Sequence, residues 1–336
     1  MFGETWNFFF QIWEFLRDES GKIQPQCLCD LVRHQNSVNA IRWSPDGKIL
    51  ASADTDSAIF LWNYSESEAA PDIFGSEAKS DEVNEENWTV LTTLRGHLQD
   101  VIGLSWSPDS QFLVSCSTDN TAIVFDAKKG TKLKMLDDHK GWVNGVTWDP
   151  LGKFIATISS DRILRFYKTK NYKILSKVSK SQMELEENGA KNVRLFHDDT
   201  FQSFFRRLDI SPDGELLVVP SGVLEIDGET SVKNCAYVFN RTNLTSPVLY
   251  LPCKEISIAV KFSPIKYNLR AVPRMDGIEA EEGKIWTKYQ TLFALPYRMV
   301  FAVATKNTIA FYDTQQAEPF ARVSKIHYVS LNDLAW

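Results

Sequence analysis

The chain has 336 residues, 43% hydrophobic and 24% charged, enough apolar content to bury a large core and too much for a disordered or fibrous chain. No run of eighteen apolar residues marks a spanning helix, and a net charge of −6 argues against gripping nucleic acid by bulk electrostatics. Five cysteines without a Cys-x-x-Cys pair suit buried thiols in a reducing compartment.

The opening stretch, "MFGETWNFFFQIWEF", is aromatic but lacks the basic flank and small-residue cleavage site of a signal peptide. It predicts a strand at about Phe8–Phe15, with a second at about Pro25–Val32. From His34 onward a pattern repeats. A Trp stands nine residues after a His, and a turn follows: His34–Trp43 with "SPDG", His97–Trp106 with "SPDS", His139–Trp148 with "DPLG". An Asp follows each His by 22 positions (Asp56, Asp119, Asp161), and an aromatic residue follows that Asp by six (Trp62, Phe125, Tyr167). Each unit holds three short β-type runs, "NAIRW", "ILASA" and "AIFLW" in the first, and a fourth run precedes the next His. Four antiparallel strands per unit make the blade of a β-propeller.

The His97-to-His139 spacing is 42 and the His34-to-His97 spacing is 63. The surplus is an acidic insertion at 65–87, with eight Asp or Glu residues between Glu66 and Glu86 against Lys79 alone. After the third unit comes "KTKNYKILSKVSK", with Lys168, Lys170, Lys173, Lys177 and Lys180. An outer strand kept soluble by lysines is a simpler reading of it than a contact to DNA or an acidic partner. Weaker units are marked by "SPDG" at Ser211–Gly214 and "SPIK" at Ser263–Lys266, and "HYVSLNDLAW" (His327–Trp336) starts the pattern once more. The expected organisation is a single all-β propeller over 1–336, with repeats that resemble those of the WD-repeat family. Its parts are blade remnants at 6–33, blades at about 34–96, 97–138, 139–180, 198–252 and 256–324, and the start of a last blade at 327–336.

The repeated polar residues predict a structural hydrogen-bond network rather than chemistry. A turn Asp accepts from a His ring, whose other nitrogen meets a hydroxyl four residues before that Asp, and an indole can complete the set. The members are His34, Ser52, Asp56 and Trp62; His97, Ser115 and Asp119; His139, Thr157 and Asp161. With His327 also at the repeat position, only His197 remains. It has Asp198 and Asp199 beside it but no second His or Cys at ligand spacing. No nucleophile elbow, phosphate-binding Gly loop or His-Glu-x-x-His helix occurs, so no catalytic, cofactor or metal site is predicted. The stretch "FHDDTFQSFFRR" supplies the candidate partner-binding residues His197, Asp198, Asp199, Phe204, Phe205, Arg206 and Arg207, because aromatics and arginines dominate interface hot spots. Core packing of its Phe residues is the competing reading. Cys27 and Cys29 share one face of an outer strand and are expected to be buried free thiols.

Four segments carry a closer resemblance: "NEENWTVLTTLRGHLQDVIGLSWSPDS", "HKGWVNGVTWDPLGKFIAT", "FHDDTFQSFFRRLDISPDGELLVVPSG" and "LPYRMVFAVATKNTIAFYDTQQAEPFARVSKIHYVSLNDLAW". They resemble the WD-repeat middle subunits of chromatin assembly factor 1, from about Ile12 onward. That resemblance implies a seven-bladed propeller acting as a nuclear, non-catalytic scaffold in a three-subunit chaperone that deposits histones H3 and H4 during replication. Implied partners are the large and small subunits, the histones through the complex, and an anti-silencing histone chaperone through a tail beyond the propeller. Strong direct DNA binding and membrane association are not implied. The acidic insertion then reads as a lure for histone tails or, more simply, as a solvated loop.

Two alternatives stand beside it. The WD-repeat subunit of the replication-independent histone chaperone is a close relative. A ubiquitin-ligase substrate receptor would show Trp-Asp-x-Arg at the end of a third strand, where this chain has "FDAK" (Phe125–Lys128) and "YDTQ" (Tyr312–Gln315). Against the family pattern, the first blade holds only its third and outer strands and the last only a first strand at about Ser330–Trp336. The expectation is a fragment with open edges that aggregates, or needs a partner, when made alone.

Overall fold

The computed structural model describes residues 9–18, 20–66, 84–185, 189–200, 203–226, 232–270, 292–325 and 330–336. His327 and residues 67–83 of the acidic insertion lie outside the described residues. The chain divides into two compact units, Met1–Met135 and Leu136–Trp336.

In the first unit, β1 (Phe9–Arg17) pairs antiparallel with β2 (Ile23–Val32). A four-stranded meander follows, from β3 (Val38–Trp43), β4 (Ile49–Asp54), β5 (Ile59–Tyr64) and β6 (Trp88–Leu94). The next is built from β7 (Val101–Trp106), β8 (Phe112–Ser117), β9 (Ala122–Asp126) and β10 (Thr131–Leu136). The sequence grades each sheet from inside to outside. β8, "FLVSCS", is buried at five of its six positions, whereas β10, "TKLKML", buries only Leu136. An inner strand is covered on both faces and reads as a continuous apolar run, while an outer edge carries lysines.

The Ser-Pro-Asp turns have a local cause. The Ser44 hydroxyl donates to the Asp46 carboxylate (2.6 Å) and accepts the Ile49 N–H (3.0 Å); Ser107, Asp109 and Phe112 repeat the arrangement. The fourth turn position is left-handed, at φ 71° for Gly47 and 59° for Ser110, which explains the recurrent Gly. The repeat Trp also has a role. Trp106 Nε1 donates to the Arg42 carbonyl of the preceding sheet (3.0 Å), tying one meander to the next. Between them lies a core of Leu61, Leu94, Leu104, Leu113 and Phe125, among others.

The second unit starts with β11 (Val143–Trp148), β12 (Phe154–Ser159), β13 (Leu164–Lys168) and β14 (Ile174–Val178), again a four-stranded meander. Its next sheet is larger than the expected blade at 198–252. It runs β15 (Lys180–Leu185), β16 (Gly189–Phe196), β18 (Leu216–Ile226), β19 (Val232–Asn240), β20 (Leu249–Pro252), with β17 (Asp209–Ile210) also on β18. The hairpin of β15 and β16 is the addition, and Lys180 belongs to it rather than to the outer strand β14. β18 is eleven residues long, so short β17 covers only its Leu217–Val218 end; β16 pairs the other end, from Gly222 to Ile226. Without that hairpin, buried backbone groups of β18 would lack partners.

The last meander is β21 (Ser257–Tyr267), β22 (Arg298–Thr305), β23 (Thr308–Asp313) and β24 (Gln316–Ser324). The described residues thus hold five sheets of four or more strands besides β1–β2, where seven blades were expected. Ser330–Trp336, expected as a strand, has no strand pairing. It lies along the last meander: the Leu331 N–H donates to the Lys306 carbonyl (3.0 Å), and Trp336 Nε1 to that of Lys261 (3.0 Å).

Candidate functional site

The polar networks sit at the turns between the second and third strands of three meanders, and each is wired differently. In the first, buried His34 places Nε2 2.6 Å from Ser52 Oγ and Nδ1 2.6 Å from Asp54 Oδ2, and Trp62 Nε1 donates to Ser52 Oγ (2.8 Å). The acidic partner is Asp54, which corrects the assignment to Asp56. Asp56 is exposed and only gives its N–H to Asp54 Oδ1 (2.9 Å). Asp54 ends β4 on the same face as Ser52, two residues away, so its carboxylate reaches the ring from inside the sheet.

In the second network, His97 meets Ser115 Oγ at 2.7 Å and Asp119 Oδ2 at 2.9 Å. Burial pushes the Asp119 carboxyl upward, but bonds from His97, Thr121 and the Leu98 N–H outweigh it and hold the group well below the usual carboxylate range. Phe125 fills the indole position and makes no polar link.

In the third, His139 Nε2 lies 2.7 Å from Thr157 Oγ1, but Asp161 is 3.6 Å from Nδ1. Arg165 intervenes: its Nη1 lies 2.6 Å from His139 Nδ1 and 2.8 Å from Asp161 Oδ2. A guanidinium has no lone pair to offer, so Nδ1 accepts and the ring is neutral. Burial, reinforced by the Arg165 charge, lowers the His139 pKa, with Asp161 pulling the other way. Sequence reasoning missed Arg165. Its signal was a charge in the middle of the apolar run "ILRFY".

Among the described residues of 197–207, buried, half-buried and exposed side chains occur together. Arg206 is 1% exposed and donates to the carbonyls of His197 (2.7 Å), Asp198 (2.5 Å) and Ser159 (3.3 Å). Burial lowers its pKa to about 10. Arg206 is therefore a structural brace for its own loop. Arg207, also buried, donates from Nε to the Asn332 carbonyl (3.0 Å) and stacks its guanidinium over Phe205 (4.3 Å). The backbone is clamped on both sides, with Arg206 N–H to Asn144 O (3.0 Å) and Arg207 N–H to Ile258 O (2.9 Å). His197 spends Nε2 on Asn234 Oδ1 (3.0 Å), and burial lowers its pKa. Asp198 accepts from Thr200, and Asp199 is exposed.

Phe204 is an aromatic of the stretch left to solvent, at 55% exposure, with its ring 5.7 Å from that of Trp142, itself 43% exposed. Phe204 and Phe205 wall a cavity of about 520 Å³ together with Ile256 and Ile258, with Asn234, Glu255 and Lys306 as polar members. An apolar hollow with a few polar groups and an exposed aromatic rim can seat a protruding side chain. Among the described residues, no group of three His, Cys, Asp or Glu residues is placed to hold a metal ion.

Repeated meanders, the Trp106 link between two of them and the His–hydroxyl networks are the marks of a WD-repeat β-propeller. The chain belongs to the CAF1B/HIR1 β-propeller family, whose description as "CAF1B/HIR1 beta-propeller domain" matches residues 6–336. It is 43% identical over 328 residues to the B subunit of chromatin assembly factor 1 from Mus musculus, covering 97% of this chain and 56% of that protein. It is 34% identical over 361 residues to the protein of the same name in Saccharomyces cerevisiae, 97% of this chain and 73% of that one. Protein HIR1 of Cryptococcus neoformans is 34% identical over 246 residues, 73% of this chain and 25% of that protein. The chain spans just over half the length of the mouse and chicken relatives.

Proposed function

We propose that this chain is the propeller scaffold of a chromatin assembly factor 1-like histone chaperone. It works in the nucleus without catalysis, joins a complex with the large and small subunits, and meets histones H3 and H4 through that complex. In this reading the ring has seven blades, and β1–β2 and Ser330–Trp336 are parts of two further blades. The observation that carries the proposal is the family match across residues 6–336, with identity sustained over 97% of the chain. The cavity walled by Phe204 and Phe205 supports it as the place where a partner subunit docks. A second reading, as part of a replication-independent histone chaperone, is favoured by the HIR1 likeness over 73% of the chain.

The test is affinity purification of the tagged chain from nuclear extract. Recovery of histones with the large and small subunits of chromatin assembly factor 1 supports the proposal. Recovery of HIR1-type partners moves the assignment to the second reading, and a ubiquitin-ligase adaptor overturns both.

A further inference from the structure

The second unit carries a basic edge that the scaffold reading does not use. Lys168, Lys170, Lys173 and Lys177 are all exposed along the β13–β14 hairpin. Exposed Lys153 joins them, because the Thr169 N–H donates to the Lys153 carbonyl (3.1 Å) and brings the two turns together. From Lys168 to Lys180 there is no Asp or Glu. Among the described residues, none of these five ammonium groups pairs with a carboxylate. The outer strand β10 of the first unit makes a useful contrast. It also has exposed lysines, Lys132 and Lys134, but Asp137 and Asp138 follow at once, and the nearby Lys129 pairs with Asp126. There acidic residues stand close to the lysines in sequence; from Lys168 to Lys180 none does.

We propose that the β13–β14 edge binds the phosphate backbone of double-stranded nucleic acid, without reading its sequence. At about 3.3 Å of rise per residue, Lys173 and Lys177 stand roughly 13 Å apart, and the turn lysines lengthen the stripe. A duplex presents one negative charge per ~1.7 Å of axis, so a stripe of this length always faces several phosphates. Three observations favour this occupant. Ser176 Oγ donates to the Leu244 carbonyl (3.3 Å), so a neighbouring loop covers part of the edge and obstructs addition of a peptide strand. The hairpin offers point charges on flexible stems, with no arginine fork aimed at base edges. Its one aromatic beside them, Tyr172, is half-buried and gives no platform for unpaired bases. With a net charge of −6 overall, the contact is confined to this edge and is weak at high salt. It does not depend on which chaperone complex the chain joins.

The experiment is fluorescence anisotropy of the purified chain with two labelled 30-base-pair DNA duplexes of unrelated sequence, from about 25 to 150 mM salt. If four phosphates are contacted, both duplexes bind alike and log K falls with log salt at a slope of about −3.6. Lys173→Gln/Lys177→Gln, at exposed sites that leave the unfolding midpoint unchanged, reduces the slope to about −1.8. Lys132→Gln/Lys134→Gln leaves it unchanged. A duplex RNA arm that binds equally well widens the ligand to any duplex; weaker RNA binding narrows it to DNA. Three results each overturn the proposal: no binding at the lowest salt, an unchanged slope in Lys173→Gln/Lys177→Gln, or equal competition by poly-glutamate of matched charge, which would assign the edge to acidic proteins.

Discussion

Asp54 and Asp56 stand two residues apart, and only one of them is buried against a histidine. Removing the Asp54 carboxylate leaves the His34 Nδ1 proton without its partner in a dry site, while the Asp56 side chain is already in water. Asp54→Ala should therefore cost roughly 1–3 kcal/mol, and Asp56→Ala should stay within about 0.5 kcal/mol. Urea midpoints of the two variants decide it; equal losses would return the role to Asp56. The neutral His139 ring makes a pH prediction. Unfolded, it titrates near 6.5; folded, burial and Arg165 place its pKa lower. Below pH 6.5 the unfolded chain binds a proton that the folded chain refuses, so this contribution is complete above pH 6.5 and is lost as pH falls toward the folded value. The depressed carboxyls of Asp119 and Asp161 act in a separate window, losing their contribution as pH drops below the ordinary carboxylate value of 3.8. Between pH 6.5 and 5.5 the wild-type midpoint should fall more steeply than that of His139→Gln. Parallel curves would mean that the ring titrates alike in the folded and the unfolded chain.

At the scale of elements, strand β11 and the segment 203–207 are fitted to each other through a missing side chain. A Cβ on Gly145 would lie 1.9 Å from the Arg206 carbonyl oxygen. Because that carbonyl belongs to a backbone clamped from both sides, it cannot retreat cheaply. Gly145→Ala should destabilise the chain by about 1–3 kcal/mol through overpacking, seen as a lower denaturant midpoint. It should also loosen the loop braced by Arg206, measured as faster amide exchange at Asn144 and Arg207. Unchanged exchange at both amides would show that the contact is relieved without opening the segment. The β15–β16 hairpin is a second lesson of this scale. Its alternating polar residues, "KSQMEL", do not fit the repeat, and most of the hairpin falls between the blades expected at 139–180 and 198–252. Its pairing follows from the length of β18, a property of another segment.

For the whole molecule, the question is what the exposed aromatic rim is for. Phe204 is more than half exposed, so Phe204→Asp should leave stability within about 0.5 kcal/mol of wild type. If a partner subunit docks at the cavity, the same change should abolish its co-purification, because truncating a central aromatic anchor typically costs 2 kcal/mol or more, roughly thirtyfold in affinity. Retained capture by a folded Phe204→Asp protein would move docking elsewhere on the surface.

The sequence by itself determined the all-β repeat, the Ser-Pro-Asp turns and the hydroxyl eighteen residues after each of three histidines. These depend on local spacing, and a strand's period of two fixes which side chains share a face. Only the tertiary structure decided between Asp54 and Asp56: Asp54 ends β4 and is buried, whereas Asp56 lies in the following turn and is exposed. It also placed Arg165 between His139 and Asp161, buried Arg206 while leaving Phe204 exposed, and recruited β15–β16 to β18. Each of those outcomes depends on which distant backbone carbonyl, ring or strand edge lacks a partner. Such needs arise only when segments far apart in the chain are packed together.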